Sequence, residues 1–135
     1  SARVENSRIT GNAAYGSHGG GIVNAGWLTL THSHISGNAL IYNDITPALN
    51  GGGGLSNLFT GRVRLQDVTV GDNLSQADCG GILNRGWLSA TASTLSDNAA
   101  PQGEGIGLGG SPENLILLLF FDGSGMGMED ISALV

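Results

Sequence analysis

The chain has 135 residues, of which 24 are glycine, 5% are aromatic and 12% are charged, so its few bulky side chains must be placed very regularly if they are to form a core. Lys plus Arg number 5 against 11 Asp plus Glu, a formal net charge of −6, and no run of basic residues interrupts the sequence. That balance argues against nucleic acid and anionic membrane surfaces as partners. Cys79 is the single cysteine, which excludes an intrachain disulfide and a cysteine-rich metal site. The longest apolar run, Leu115–Phe121, is far shorter than the ~20 residues of a transmembrane helix, and none is expected. The opening Ser1-Ala2-Arg3 lies inside the repeat described next, as expected of a processed chain or a fragment.

In chain order, the first predicted strands carry Ala2, Val4 and Ile9, ahead of Thr10-Gly11-Asn12. The same phase returns as Leu28, Leu30 and Ile35 ahead of Ser36-Gly37-Asn38, and as Val63, Leu65 and Val70 ahead of Gly71-Asp72-Asn73. It returns once more as Leu88, Ala90 and Leu95 ahead of Ser96-Asp97-Asn98. The four asparagines are separated by 26, 35 and 25 positions, and every residue in the three leading columns is apolar. A second landmark, Gly21-Ile22-Val23-Asn24, recurs as Gly54-Leu55-Ser56-Asn57 and Gly81-Ile82-Leu83-Asn84, and fades at Gly105-Ile106. Each unit therefore holds about three short strands. In the central one Leu28 and Leu30 face one way and Thr29 and Thr31 the other, the period of a strand.

Units of this size, with strands broken by Gly and Asn, predict an all-β solenoid whose successive turns pair in parallel ~4.8 Å apart. A β-sandwich also has short strands and frequent turns, but it does not require matching residues at matching phases. Stacking brings like residues together. Asn12, Asn38, Asn73 and Asn98 are thus expected to form a ladder of amide hydrogen bonds, and Asn24, Asn57 and Asn84 another.

Two segments depart from the repeat. The interval from Asn38 to Leu55 is longer than those from Asn12 to Ile22 and from Asn73 to Ile82, which marks Ala39–Gly52 as an inserted loop; such loops can wall a groove, but an idle surface excursion is the favoured reading. Past Ile106 the phase is lost. Residues 1–108 are read as β-helix repeats and 109–135 as an irregular C-terminal segment, a cap or docking strand. Within it Leu115–Phe121 is apolar at both parities, which suits a strand covered on both faces or a surface for self-association. Met128–Val135 is expected to form a short helix over the open end of the coil.

Gly19-Gly20-Gly21-Ile22-Val23-Asn24, followed by Leu28-Thr29-Leu30-Thr31 and Ser33-His34-Ile35-Ser36-Gly37-Asn38, resembles the right-handed parallel β-helix repeats of bacterial surface proteins, namely polymorphic outer-membrane proteins and related adhesin-like chains. The resemblance covers about Ala2 to Ile106. It implies a right-handed parallel β-helix of about four turns, secreted or displayed on a bacterial cell surface, with a structural or adhesive role. The same coil serves polysaccharide lyases and glycoside hydrolases, so a fragment of a polysaccharide-active enzyme is the alternative.

The chemistry-bearing residues divide into three groups. Asp72 and Asp97 share a phase in adjacent turns, with Arg64 and Asp67 on the strand leading to Asp72, and these three carboxylates are the candidate metal ligands, calcium being the cofactor they suggest. Aspartates beside turn asparagines commonly just bond the backbone, and that reading is favoured. No carboxylate pair with hydrolase spacing is evident, and no catalytic residue is assigned. Ser17-His18-Gly19 is similar to the Gly-His-Gly of polygalacturonase-like β-helices, but Ser replaces the first Gly and the partner acids are missing. His32 and His34 share a strand without a third ligand, and Cys79 reads as a small residue in a tight turn before Gly80-Gly81.

The last group is an outward column, Trp27, Arg62 and Trp87, each one residue before the first inward apolar of its strand. A guanidinium between two indoles contributes about 0.5–1 kcal/mol per exposed contact and presents flat apolar faces that suit sugar rings. A corner-stabilising ladder without ligand is the favoured reading of the residues; if the column binds, it is the candidate ligand site, with a polysaccharide or surface glycan as the partner. The outward pair Thr29 and Thr31 also raises ice binding. The same columns continue as Arg3 and Glu5, Arg64 and Gln66, and Ser89 and Thr91, and the charges break up the flat threonine array that ice adsorption needs.

Overall fold

Each predicted strand finds its hydrogen-bonding partner one repeat away, in parallel, rather than in a neighbouring hairpin. The computed structural model describes residues 1–16, 18–41, 51–76, 79–100, 106–108 and 116–121, the last two as backbone path. The first pass of the chain runs through β1 (Ala2–Glu5), β2 (Arg8–Thr10) and β3 (Ala13–Tyr15). The second runs through β4 (Ile22–Asn24), β5 (Trp27–Ser36) and β6 (Ala39–Ile41). The third follows as β7 (Leu55–Asn57), β8 (Arg62–Gly71) and β9 (Leu74–Ser75). Then come β10 (Ile82–Asn84), β11 (Trp87–Ser96), β12 (Ile106–Leu108) and β13 (Ile116–Phe121).

These strands form three parallel sheets. The long strands stack in the order β1, β5, β8, β11, β13, with β2 also on β5; the short strands stack as β4, β7, β10, β12 and as β3, β6, β9. The chain visits the sheets in the same order on each pass, as in a parallel β-helix. No helix is present among the described residues, and none there is long and apolar enough to cross a membrane.

The registers reproduce the sequence columns residue for residue. Ala2 pairs with Leu28, Leu28 with Val63 and Val63 with Leu88, while Val4, Leu30, Leu65 and Ala90 form the next row and Ile9, Ile35, Val70 and Leu95 a third. Leu30, Ile35, Val63, Leu65, Val70, Leu88 and Leu95 are wholly buried, each worth roughly 1.5–3 kcal/mol of transfer free energy. They form one core with Leu55 and Ile82.

The long strands bend where one residue adopts the left-handed conformation: Asn6, His32, Asp67 and Ala92 have φ of 49°, 48°, 53° and 48°. At each bend two consecutive residues face outward, so the inward set changes parity; in β5 it passes from Leu28 and Leu30 to Ser33 and Ile35. A second left-handed column follows at Gly11, Gly37, Asp72 and Asp97 and turns the chain toward the short sheet. The ladder asparagines come immediately after it. Asn12 Nδ2 donates to Asn38 Oδ1, Asn38 Nδ2 to Asn73 Oδ1 and Asn73 Nδ2 to Asn98 Oδ1 at 2.9–3.0 Å.

A glycine column completes each turn. Gly53 donates to the Cys79 carbonyl, and a Cβ added at Gly53 would strike the Leu74 and Gly80 carbonyl oxygens, so the stacked main chains leave no room for a side chain there. Cys79 pairs with Gly52 and is buried, in keeping with its reading as a small turn residue.

Past β11 the hydrogen-bonding pattern continues. β12 pairs with β10, and β13 pairs with β11 through Ser89 with Ile116 and Ala90 with Leu117, then Ser93 with Leu119 after an irregularity at the bend. The backbone of 116–121 is thus the next rung of the long sheet. Leu115, most of the inserted loop (42–50) and the tail Met128–Val135 lie outside the described residues.

Candidate functional site

The corner joining the short sheet of β4, β7 and β10 to the long sheet of β5, β8 and β11 is built on the second asparagine ladder. Asn24 Nδ2 donates to Asn57 Oδ1 at 2.9 Å and Asn57 Nδ2 to Asn84 Oδ1 at 2.7 Å. The same amides reach forward to the residues displayed outside: Asn24 Nδ2 to the Arg62 carbonyl (3.3 Å) and Asn57 Nδ2 to the Trp87 carbonyl (2.9 Å). All three asparagines are buried, so the outer column rests on amides satisfied away from water. Arg62 N–H donates to Gly26 O at 2.7 Å and Trp87 N–H to Gly61 O at 2.9 Å, which keeps the rungs in step.

On this frame Trp27, Arg62 and Trp87 are register partners on adjacent strands. The Arg62 guanidinium lies 4.9 Å from the centre of the Trp27 ring, and Trp27 remains 62% exposed. A second contact of the same kind stands beside it. The Arg85 guanidinium lies 5.5 Å from the centre of the Phe59 ring, and Phe59 is 67% exposed. Sequence reasoning missed Phe59 and Arg85. The signal for Phe59 was the interval from Asn57 to Arg62, which is longer than those from Asn24 to Trp27 and from Asn84 to Trp87; the added residues make a turn, closed by Gly61 N–H to Leu58 O, that carries Phe59 outward.

Arg64, two residues beyond Arg62 on the same outer face, is exposed and stands between Thr29 and Ser89 in register. Three of the chain's basic side chains are thereby gathered at one corner, although no basic run exists in the sequence. Among the described residues no carboxylate forms an ion pair with the guanidinium of Arg62, Arg64 or Arg85, whereas Arg3 pairs with Glu5.

The candidate metal residues fall on two different bends. Asp67 occupies the bend inside β8, where it lies 3.7 Å from His32 of the adjacent rung, while Asp72 and Asp97 occupy the left-handed column that precedes the first asparagine ladder. Gly11 and Gly37 stand in the same column, which identifies a backbone requirement at those positions. Among the described residues no three His, Cys, Asp or Glu side chains are grouped so as to hold a metal ion. His32 and His34 both face solvent, on either side of inward Ser33, and His18 is exposed. No family model, curated protein or solved structure gives a significant match to the chain.

Proposed function

We propose that this chain is a segment of a right-handed parallel β-helix of about four turns from a secreted or bacterial cell-surface protein, and that it plays a noncatalytic, adhesive part by binding a polysaccharide or surface glycan at the Trp27–Arg62–Trp87 corner. Right-handedness follows from the rule that parallel strands of one sheet are joined by right-handed crossovers in about 98% of cases. The surface setting follows from the resemblance of the repeats to bacterial surface proteins.

The observation that carries the binding reading is Trp27: an indole 62% exposed yet held by a guanidinium at 4.9 Å and set on a corner tied down by buried amides. Rigid, exposed aromatic faces lose little entropy on binding and offer apolar area to the C–H faces of sugars. A glycan array is the test. Binding by the wild type that falls about tenfold or more in Trp27→Ala is expected, as one aromatic contact of ~1.4 kcal/mol accounts for that factor. Binding that Trp27→Ala leaves unchanged, or none at all, overturns the assignment. Incubation with a broad polysaccharide panel is expected to release no sugar; release would favour the polysaccharide-active enzyme instead.

A further inference from the structure

We infer that the ligand of this corner is an anionic saccharide, a linear glycan carrying carboxylate or sulfate groups, with its charged unit seated over β8. The inference rests on the glycan reading above and adds the charge and orientation of the ligand.

The chain carries a net −6, yet Arg62 and Arg85 stand at one corner with Arg64 two residues further along β8, and among the described residues none of the three forms an ion pair with a carboxylate. Like charges are not brought together on a rigid frame without cost, and two of the three lie over rings, Arg62 over Trp27 and Arg85 over Phe59. A guanidinium stacked by its face keeps its N–H donors at the edge, where they match the paired oxygens of a carboxylate or sulfate. Lysine, which supplies a point charge without this geometry, is absent from the whole chain.

The orientation comes from register. Rungs of a parallel sheet are ~4.8 Å apart, close to the length of one pyranose unit in an extended chain. A glycan lying across the rungs would place successive rings on Trp27, Arg62 and Trp87, with the hydroxyl, guanidinium and hydroxyl of Thr29, Arg64 and Ser89 as a second row beside them. Only the central rung has arginine in both rows. The charged substituent therefore belongs to the unit between the two indoles.

Affinity electrophoresis of the full chain through gels containing polygalacturonate, heparin, dextran or neutral galactan tests this, with oligo(dT) as a phosphate-bearing polymer. Retardation by polygalacturonate or heparin, but not by dextran or galactan, is expected. It should weaken about tenfold in Arg62→Gln and again in Arg64→Gln, and fall as salt is raised, because exposed charge pairs are screened. Arg8→Gln, on β2 away from the corner, should bind as wild type. Circular dichroism melting of each variant separates loss of binding from loss of fold. Equal retardation by neutral and acidic polymers that depends on Trp27 leaves the glycan reading standing and overturns the anionic one. No retardation by any polysaccharide overturns both, and preferential binding of oligo(dT) overturns the saccharide assignment in favour of nucleic acid.

Discussion

Asn73 sits at the centre of an apolar coil because each of its amide groups has a partner. Its Nδ2 donates to Ile35 O and to Asn98 Oδ1, and its Oδ1 accepts from the main-chain N–H and from Nδ2 of Asn38. Asn73→Ala leaves donors and acceptors buried without partners, and a loss of about 2–4 kcal/mol is expected in urea unfolding. Asn12, exposed on the first rung, donates to Asn38 Oδ1, and Asn12→Ala should cost less than about 1 kcal/mol in the same measurement. Ala92 gives the opposite sign. It holds the left-handed conformation at φ 48°, where Asn6 of the same column is better suited, so Ala92→Asn should raise stability by up to about 1 kcal/mol. Glycine sites divide in the same way: Gly26 has open space where a Cβ would go, whereas a Cβ on Gly80 would meet the Ala99 main chain. Gly26→Ala is expected to melt near wild type and Gly80→Ala to unfold well below it.

At the scale of the element, β8 is the most enclosed strand, paired by β5 on one side and β11 on the other, with Val63, Leu65, Val68 and Val70 directed inward. Leu65→Ala should cost about 2–5 kcal/mol, the range for a large-to-small change with a residual cavity. Val4→Ala, on the partly buried first rung, should cost less than half as much in parallel urea titrations. The bend in β5, β8 and β11 was legible in principle. Leu28 and Leu30 are two residues apart, but Ile35 follows Leu30 by an odd number of steps, and an unbroken strand cannot send all three inward. Reading only the apolar columns recovers the repeat and passes over this change of parity, which is why His32 and Asp67 were expected on straight strands and are found at corners.

For the molecule as a whole, cohesion comes from parallel main-chain pairing, buried apolar rows and amide ladders, while the Arg3–Glu5 ion pair and the His32–Asp67 contact are exposed. Raising salt from about 0.05 to about 0.5 M should therefore move the melting temperature by less than about 2 °C, since exposed pairs contribute little. Saccharide binding at the arginine corner should weaken over the same range, so the two measurements separate fold from ligand.

What the sequence determined by itself is the set of columns. In a parallel stack each residue meets its own counterpart one turn away, so inward positions must repeat in kind, and the apolar rows, both asparagine ladders and the partnership of Trp27, Arg62 and Trp87 could be read from spacing alone. Tertiary structure alone decided which residues absorb the bends, how Phe59 and Arg85 come to stand beside that column, and that the backbone of 116–121 joins the long sheet after the repeat has faded. The physical reason is the same in each case. Bends, added turn residues and main-chain pairing depend on the path of the backbone, which constrains side-chain identity far less than burial does.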